Sequence, residues 1–299
     1  MGQISERFDA SPKRAYAMLM LLIGSFVISF SGLVIRNIDQ ADSWQINFYR
    51  SFAFAITISL VLLFRYGSNA PKQLKGIGRQ GILAAILLAF ASIAFLQAIT
   101  NTSVAATTFT LCCIPFLTAI MAWLFLRERL GQSTIFTMLI ALLGVLLMFA
   151  QGFGSGSLYG NFMAFLCAIG FSCYAIIVRH NRRIEMLPTL ILSNGIVIIV
   201  ALALRWDKLD ILWNDLLLCF ILGGLLSATV NTLFIIASKH LFAAELTLFM
   251  LLEFTLGPIW VWVFINEVPS QWTVIGGSVV IIAVLIQTIS EIRKVERNL

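Results

Sequence analysis

Followed by its apolar and polar positions, the chain is a succession of ten apolar runs separated by short polar stretches. The runs are Ala15–Ile35, Trp44–Phe64, Gly81–Ile99, Ser103–Phe125, Thr134–Ala150, Leu158–Val178, Leu187–Leu204, Leu212–Ala237, Leu241–Ile265 and Trp272–Ile289. Each approaches the roughly 20 residues an α-helix needs to cross the hydrocarbon core of a bilayer. None shows the alternating polarity, over segments of about 10 residues, of a transmembrane β-barrel. The pattern predicts an all-α integral membrane protein of ten spanning helices. Most connections are short, so sequential helices should be antiparallel neighbours. The longest, Arg65–Gln80, is rich in Gly, Lys and Arg.

One run has an echo. Ser103–Leu130 is an apolar helix that holds Pro115 and ends in Arg127-Glu128-Arg129; Phe242–Val268 repeats the pattern. Ala105 precedes Glu128 by 23 residues, as Ala244 precedes Glu267, and 16 residues past each glutamate stands a small residue, Gly144 or Ala283. A repeat of this length concerns half the chain, so it weighs more than any single motif. It divides the protein into residues 15–150 and 151–290, flanked by polar tails 1–14 and 291–299.

Composition agrees with the pattern. Hydrophobic residues make up 60% and charged residues 11%, with mean hydropathy +0.96, against about 25% charged in soluble domains. The net charge of +6 reads as loop charge that sets topology, not as a nucleic-acid surface. With the first tail placed in the cytoplasm, 16 of the 20 basic residues fall on that side. Only Arg36, Arg205 and Lys208 fall outside, and Arg50 lies within a span. Both tails are therefore expected in the cytoplasm, in a multi-pass protein of the bacterial inner (plasma) membrane. Residues 1–14 run straight into a full-length apolar segment and do not resemble a cleavable signal.

Each repeat has five spans, an odd number, so the second enters the membrane upside down. Two inverted bundles around a central cavity can rock to open a site between them to either side, as in many secondary transporters. On Ala105, Pro115, Glu128 and Gly144 in the first half, and Ala244, Glu253-Phe254, Glu267 and Ala283 in the second, the chain resembles the EamA-type transporters of the drug/metabolite transporter superfamily. Arg50 fits a basic residue common in the second span of that family. Phe254 stands where the second proline is usual, and Pro258 lies a turn later. Overall the chain looks most similar to bacterial aromatic amino acid exporters. The resemblance implies a ten-helix exporter of amino acids, aromatic and other neutral ones included, working by alternating access. A broad multidrug or aromatic-cation exporter of the same fold is the alternative. The implied partners are a small-molecule substrate and the lipid bilayer, with no nucleic acid, and a monomer is the simplest expectation.

Charges inside spans are costly and face protein or water. Arg50, Glu245 and Glu253 are the candidates. The two glutamates are eight residues apart, about 80° around the helix. Glu245 lies near a helix start, where it could equally be a cap; Glu253 is deeper. Arg50 could hold a carboxylate or tie helices together. Neutral polar residues in or at the ends of spans add Ser29, Gln97, Asn101, Thr107, Asn194 and Asn231, and the aromatics add Tyr174 and Trp260. Small-polar stripes of this kind also serve as helix contact faces. Pro115 and Pro258 are candidates for kinks that bend during gating.

The five cysteines all lie in apolar runs without CxxC spacing, and the two histidines are far apart. The sequence holds no metal-ligand cluster, P-loop, GxSxG or GxGxxG-type motif. No cofactor, metal or catalytic residue is expected, and the chain does not read as an enzyme.

Overall fold

The structure, a computed structural model, describes residues 12–102, 104–128, 130–148, 157–207, 209–266 and 271–296. Its described residues form helices at all ten apolar runs. Nine are long and apolar enough to cross a membrane: α1 (Lys13–Arg36), α2 (Ser43–Gln73), α3 (Gly78–Asn101), α4 (Ala106–Leu126), α6 (Leu158–His180), α7 (Leu187–Arg205), α8 (Trp213–Ser238), α9 (Ala243–Phe264) and α10 (Gln271–Ile289). The remaining one, α5 (Gln132–Met148), is equally apolar and shorter at 17 residues, the lower limit for a span. The Arg65–Gln80 connection is itself largely helical, with a short helix at Ala70–Gly76. Ser103, Arg129, Ala150 and Glu267 lie outside the described residues.

Local chemistry sets several boundaries. Asp42 accepts the backbone N–H groups of Trp44 and Gln45, and Gln45 returns the bond to the Asp42 N–H at 2.7 Å. This capping box satisfies donors that the first turn of α2 leaves free. Ser157 caps α6 through the Gly160 N–H. At their far ends, α4 and α9 stop at Arg127 and Asn266, the two non-glycine residues with positive φ among those described (54° and 59°). A left-handed residue ends a helix by turning its last amides back on it. These two stand 139 residues apart, the offset that also separates Ala105 from Ala244 and Glu128 from Glu267. The repeat is thus written in the backbone as well as in the sequence.

Much of the helix packing follows the same exchange of each helix with the one five places on. α1 packs on α8 as α6 packs on α3; α2 on α8 as α7 on α3; α1 on α9 as α6 on α4. Three further contacts, α2 with α7, α4 with α9 and α5 with α10, join a helix to its own counterpart, so they straddle the pseudo-two-fold axis. Five spans per half make the halves inverted. The fold is an all-α membrane bundle of two inverted five-helix repeats around a central cavity.

Side chains are sorted as lipid requires. Ile23, Phe64, Leu143 and Ile199 project outward, while Asn47, Ser51, Thr118, Ser172 and Thr247 are fully buried. Trp206 and Trp213, near helix ends, are exposed, as expected of interface anchors. Cys112, Cys167 and Cys219 are buried and unpaired, in keeping with small packing residues. Small residues let backbones meet. A Cβ on Gly276 of α10 would lie 2.3 Å from the Gly144 carbonyl oxygen, and one on Gly144 would lie 2.8 Å from the Gly276 oxygen.

Candidate functional site

Irregularities in four helices reach the cavity wall. In α4, helix runs over Val104–Leu111 and resumes at Ile114–Met121. Pro115 explains the gap: it has no N–H to offer the Leu111 carbonyl, and its ring crowds the preceding turn. In α9, Ala243–Leu248 is followed by Met250–Ile265, with the interruption at Phe249. There the Phe249 carbonyl accepts the Ser25 hydroxyl at 2.8 Å and the Leu252 N–H in a tightened turn. The other half repeats the device, Ser172 of α6 donating to the Ile114 carbonyl of α4 at 3.3 Å. α8 loosens into a π-helical stretch at Ile221–Ser227, and α1 breaks between Ile28 and Ser31.

Leu111, Ile114, Met250 and Ser227, which flank these interruptions, line a cavity with about 170 Å³ open to the centres of water-sized molecules. Eight helices contribute to it, all except α5 and α10. Its apolar wall includes Phe54, Phe95, Phe171, Phe234 and Phe254; its polar groups include Arg50, Ser92, Ser193, Asn194, Asn231 and Glu253. The Arg50 guanidinium donates to the Ser92 hydroxyl and, at 3.4 Å, to Asn47 Oδ1. Its Nε and the Asn47 Nδ2 are buried without a protein partner. Glu253 accepts one bond, from the Ser31 hydroxyl at 3.4 Å. Gly223, in the π stretch, is what lets α8 press on α2 here: a Cβ would lie 1.9 Å from the Arg50 carbonyl oxygen.

Of the residues singled out from the sequence, Arg50, Asn194, Asn231 and Glu253 come together in this lining. The other candidates lie elsewhere among the described residues. Trp260 donates to the Ser29 hydroxyl at 2.7 Å and stacks on Phe30 at 4.3 Å, so the pair joins α9 to the break in α1. Gln97 reaches Ser43, and Asn101 turns back onto Gln97 at the exposed end of α3. Thr107 is buried in α4. Tyr174 sits one layer behind the wall, against Phe171 and Phe234. Asn194 and Asn231 each return a bond to their own helix, to Leu190 and Ser227. Pro258 does not interrupt α9, whose break falls at Phe249 instead; one missing N–H leaves the rest of the helical ladder intact. The Pro258 side chain lies outside the described ones.

Glu245 takes the helix-cap role that the sequence offered beside the cavity one. It is not in the cavity wall but at the end of the bundle where α1 starts and α10 finishes, the basic end. Arg14 donates to it at 2.5 Å with both side chains buried, Thr134 donates at 3.2 Å, and its second oxygen accepts the Phe242 N–H. Beside it, Arg179 donates to Glu128 at 2.8 Å and to the Ser238 carbonyl at 2.9 Å. Both guanidinium groups lie 5.6 Å from the centroid of the Phe242 ring. Glu185 completes this end, accepting from Tyr66 at 2.6 Å and from Lys239 at 3.3 Å. Burial alone would raise the Glu185 carboxyl; Tyr66, Lys239, the Leu187 amide and Arg65 outweigh it and hold it below the usual carboxylate value. Burial, followed by the charges of Lys13, Lys239 and Arg179, lowers His240.

No distinct sequence signal marks Arg14 and Arg179, because topology-setting loop charge accounts for them equally well. At the opposite end Asp215, fully buried, accepts the N–H groups of Asp39, Gln40 and Ala41. It pins the α1–α2 loop to the start of α8.

Residues 15–150 match the model of the EamA-like transporter family. Over 277 residues the chain is 23% identical to the pseudopaline exporter CntI of Pseudomonas aeruginosa, in two strains, covering 89% of this chain and 93% of the relative. A solved structure described as "Crystal structure of protein" shares the fold at a TM-score of 0.78, with 15% identity, over 93% of this chain and 98% of its own.

Proposed function

We propose that this chain is a secondary transporter that exports amino acids, aromatic and other neutral ones included, across the bacterial inner membrane by alternating access. The observation that carries the reading is the cavity itself. It is walled by helices of both inverted halves, beside two interrupted helices, and one end of the bundle is joined across the halves by buried ion pairs. Loop charge assigns that end to the cytoplasm. Rocking the halves apart there requires Arg14–Glu245 and Arg179–Glu128 to part. The match of residues 15–150 to a transporter family, and the similarity to a protein named as an exporter, support transport out of the cell. The amino acid cargo rests on the sequence resemblance and on the lining chemistry.

A second reading, export of aromatic cations, is favoured by one feature, a carboxylate set among five phenylalanines. The test is purified protein in liposomes, assayed with a panel of labelled amino acids and aromatic cations, with and without a pH gradient. Amino acid flux above protein-free vesicles is expected, with a pH dependence that Glu253→Gln removes. Flux of cations alone selects the second reading. No flux of any compound ends both.

A further inference from the structure

The cavity wall carries two ionisable side chains of opposite sign, the buried Arg50 and the half-buried Glu253, that do not pair with each other. Among the described residues, no acidic group pairs with Arg50, whose bonds go to the neutral Ser92 and Asn47. Among the same described residues, no basic group pairs with Glu253, whose bond comes from the neutral Ser31. The basic end of the same bundle shows the contrast, since Glu245 and Glu128 each have an arginine. A buried charge without a counter-charge is costly, and an unpartnered buried donor adds to it. Arg50 Nε and Asn47 Nδ2 are two such donors on one face of α2.

One kind of occupant relieves both costs. A carboxylate against Arg50 gains a planar, fork-like donor, and an ammonium against Glu253 gains the missing cation. The remaining wall is largely apolar and aromatic, which suits an uncharged side chain. We infer that the cavity binds its cargo as a zwitterion, with the carboxylate seated on Arg50 and Ser92, the ammonium on Glu253, and the side chain among the phenylalanines. This rests on the reading of the chain as an amino acid transporter and deepens it. It makes Arg50 and Glu253 the two residues that recognise the backbone of an α-amino acid. It also separates such a cargo from a simple aromatic cation, which has no use for Arg50.

The test is displacement of tritiated L-phenylalanine from purified protein by L-phenylalaninamide, which lacks the carboxylate, and by 3-phenylpropionate, which lacks the ammonium. Wild-type protein should bind each at least tenfold more weakly than L-phenylalanine. Arg50→Gln should abolish the distinction between L-phenylalanine and its amide while still rejecting 3-phenylpropionate, and Glu253→Gln should do the converse. Ser92→Ala, a milder change, should weaken L-phenylalanine and leave the amide unmoved, so the carboxylate seat remains testable if Arg50→Gln does not fold. An amide that competes as well as L-phenylalanine on wild-type protein overturns the proposal, as do losses that fall on the wrong residue. Liposome flux tells the two levels apart. Transport of panel compounds without preference for the zwitterion sinks this inference alone, and no transport of any of them sinks the underlying reading with it.

Discussion

Glu128 ends α4 by holding two other helices: Arg179 of α6 donates to one oxygen at 2.8 Å, and the Ala243 N–H that opens α9 donates to the other at 3.2 Å. One carboxylate, in the position that defines the sequence repeat, thus joins the first half of the chain to the second. It also sits at the positive end of the α9 dipole, where a carboxylate is favoured.

Removing one member of that pair leaves a buried charge behind, whereas removing both does not. Glu128→Gln should lower stability by about 3 kcal/mol, the range for breaking a buried pair. Arg179→Gln added to it should restore a substantial part of the loss. Thermal unfolding of the single and double variants in detergent measures the coupling, and strictly additive losses would show that the pair does not act as one.

The contact between Gly223 and the Arg50 carbonyl sets a second expectation. Gly223→Ala must force α8 from α2, at a cost of about 1–3 kcal/mol typical of overpacking. Gly195→Ala in α7, where nothing lies within 4 Å of the added carbon, should be neutral or slightly stabilising. Equal melting temperatures for the two variants would contradict the close approach.

Pro115→Ala restores the N–H that Pro115 denies to Leu111 and lets α4 close its gap. If the break serves as a joint in the transport cycle, flux in vesicles should fall while the protein remains as stable as before, or more so. Unchanged flux at equal reconstitution would leave the break as a fixed element of shape.

Glu185 gives a pH dependence with a definite sign. Its carboxyl is held below the ordinary value of 4.5 in the folded state. Its contribution to stability is therefore fully present above that value and is lost as pH falls through the folded one. Melting temperatures of wild-type and Glu185→Gln protein should differ near neutral pH and converge in acid. A gap that persists in acid below the folded value would assign the effect to packing instead.

The apolar runs disclosed the helices because a span must be continuous and apolar to exist in lipid, and no tertiary contact can substitute for that. The offset between Glu128 and Glu267 likewise anticipated the pairing of left-handed ends at Arg127 and Asn266. Side-chain destinations were less legible. Glu245 and Glu253 share α9 and lie two turns apart, yet one meets Arg14 at the end of the bundle and the other lines the cavity. What separates them is α1, whose start and whose break face different heights of α9, and no spacing within α9 encodes that. The π stretch of α8 was equally hidden, since it arises where Gly223 meets the α2 backbone. Pro258 shows the opposite limit: a strong local signal that the surrounding helix absorbs.

The seam where Gly144 faces Gly276 bears on how the halves can move. Contacts made by side chains can be re-formed during a slide, because side chains change rotamer. Contacts made by main-chain atoms have no such freedom, and a displacement along either helix drives a carbonyl into its neighbour. α5 and α10 therefore resist translation at that point while leaving rotation open, as a hinge pin does. They are also the two of the ten helices that contribute nothing to the cavity wall, so this main-chain seam lies apart from it.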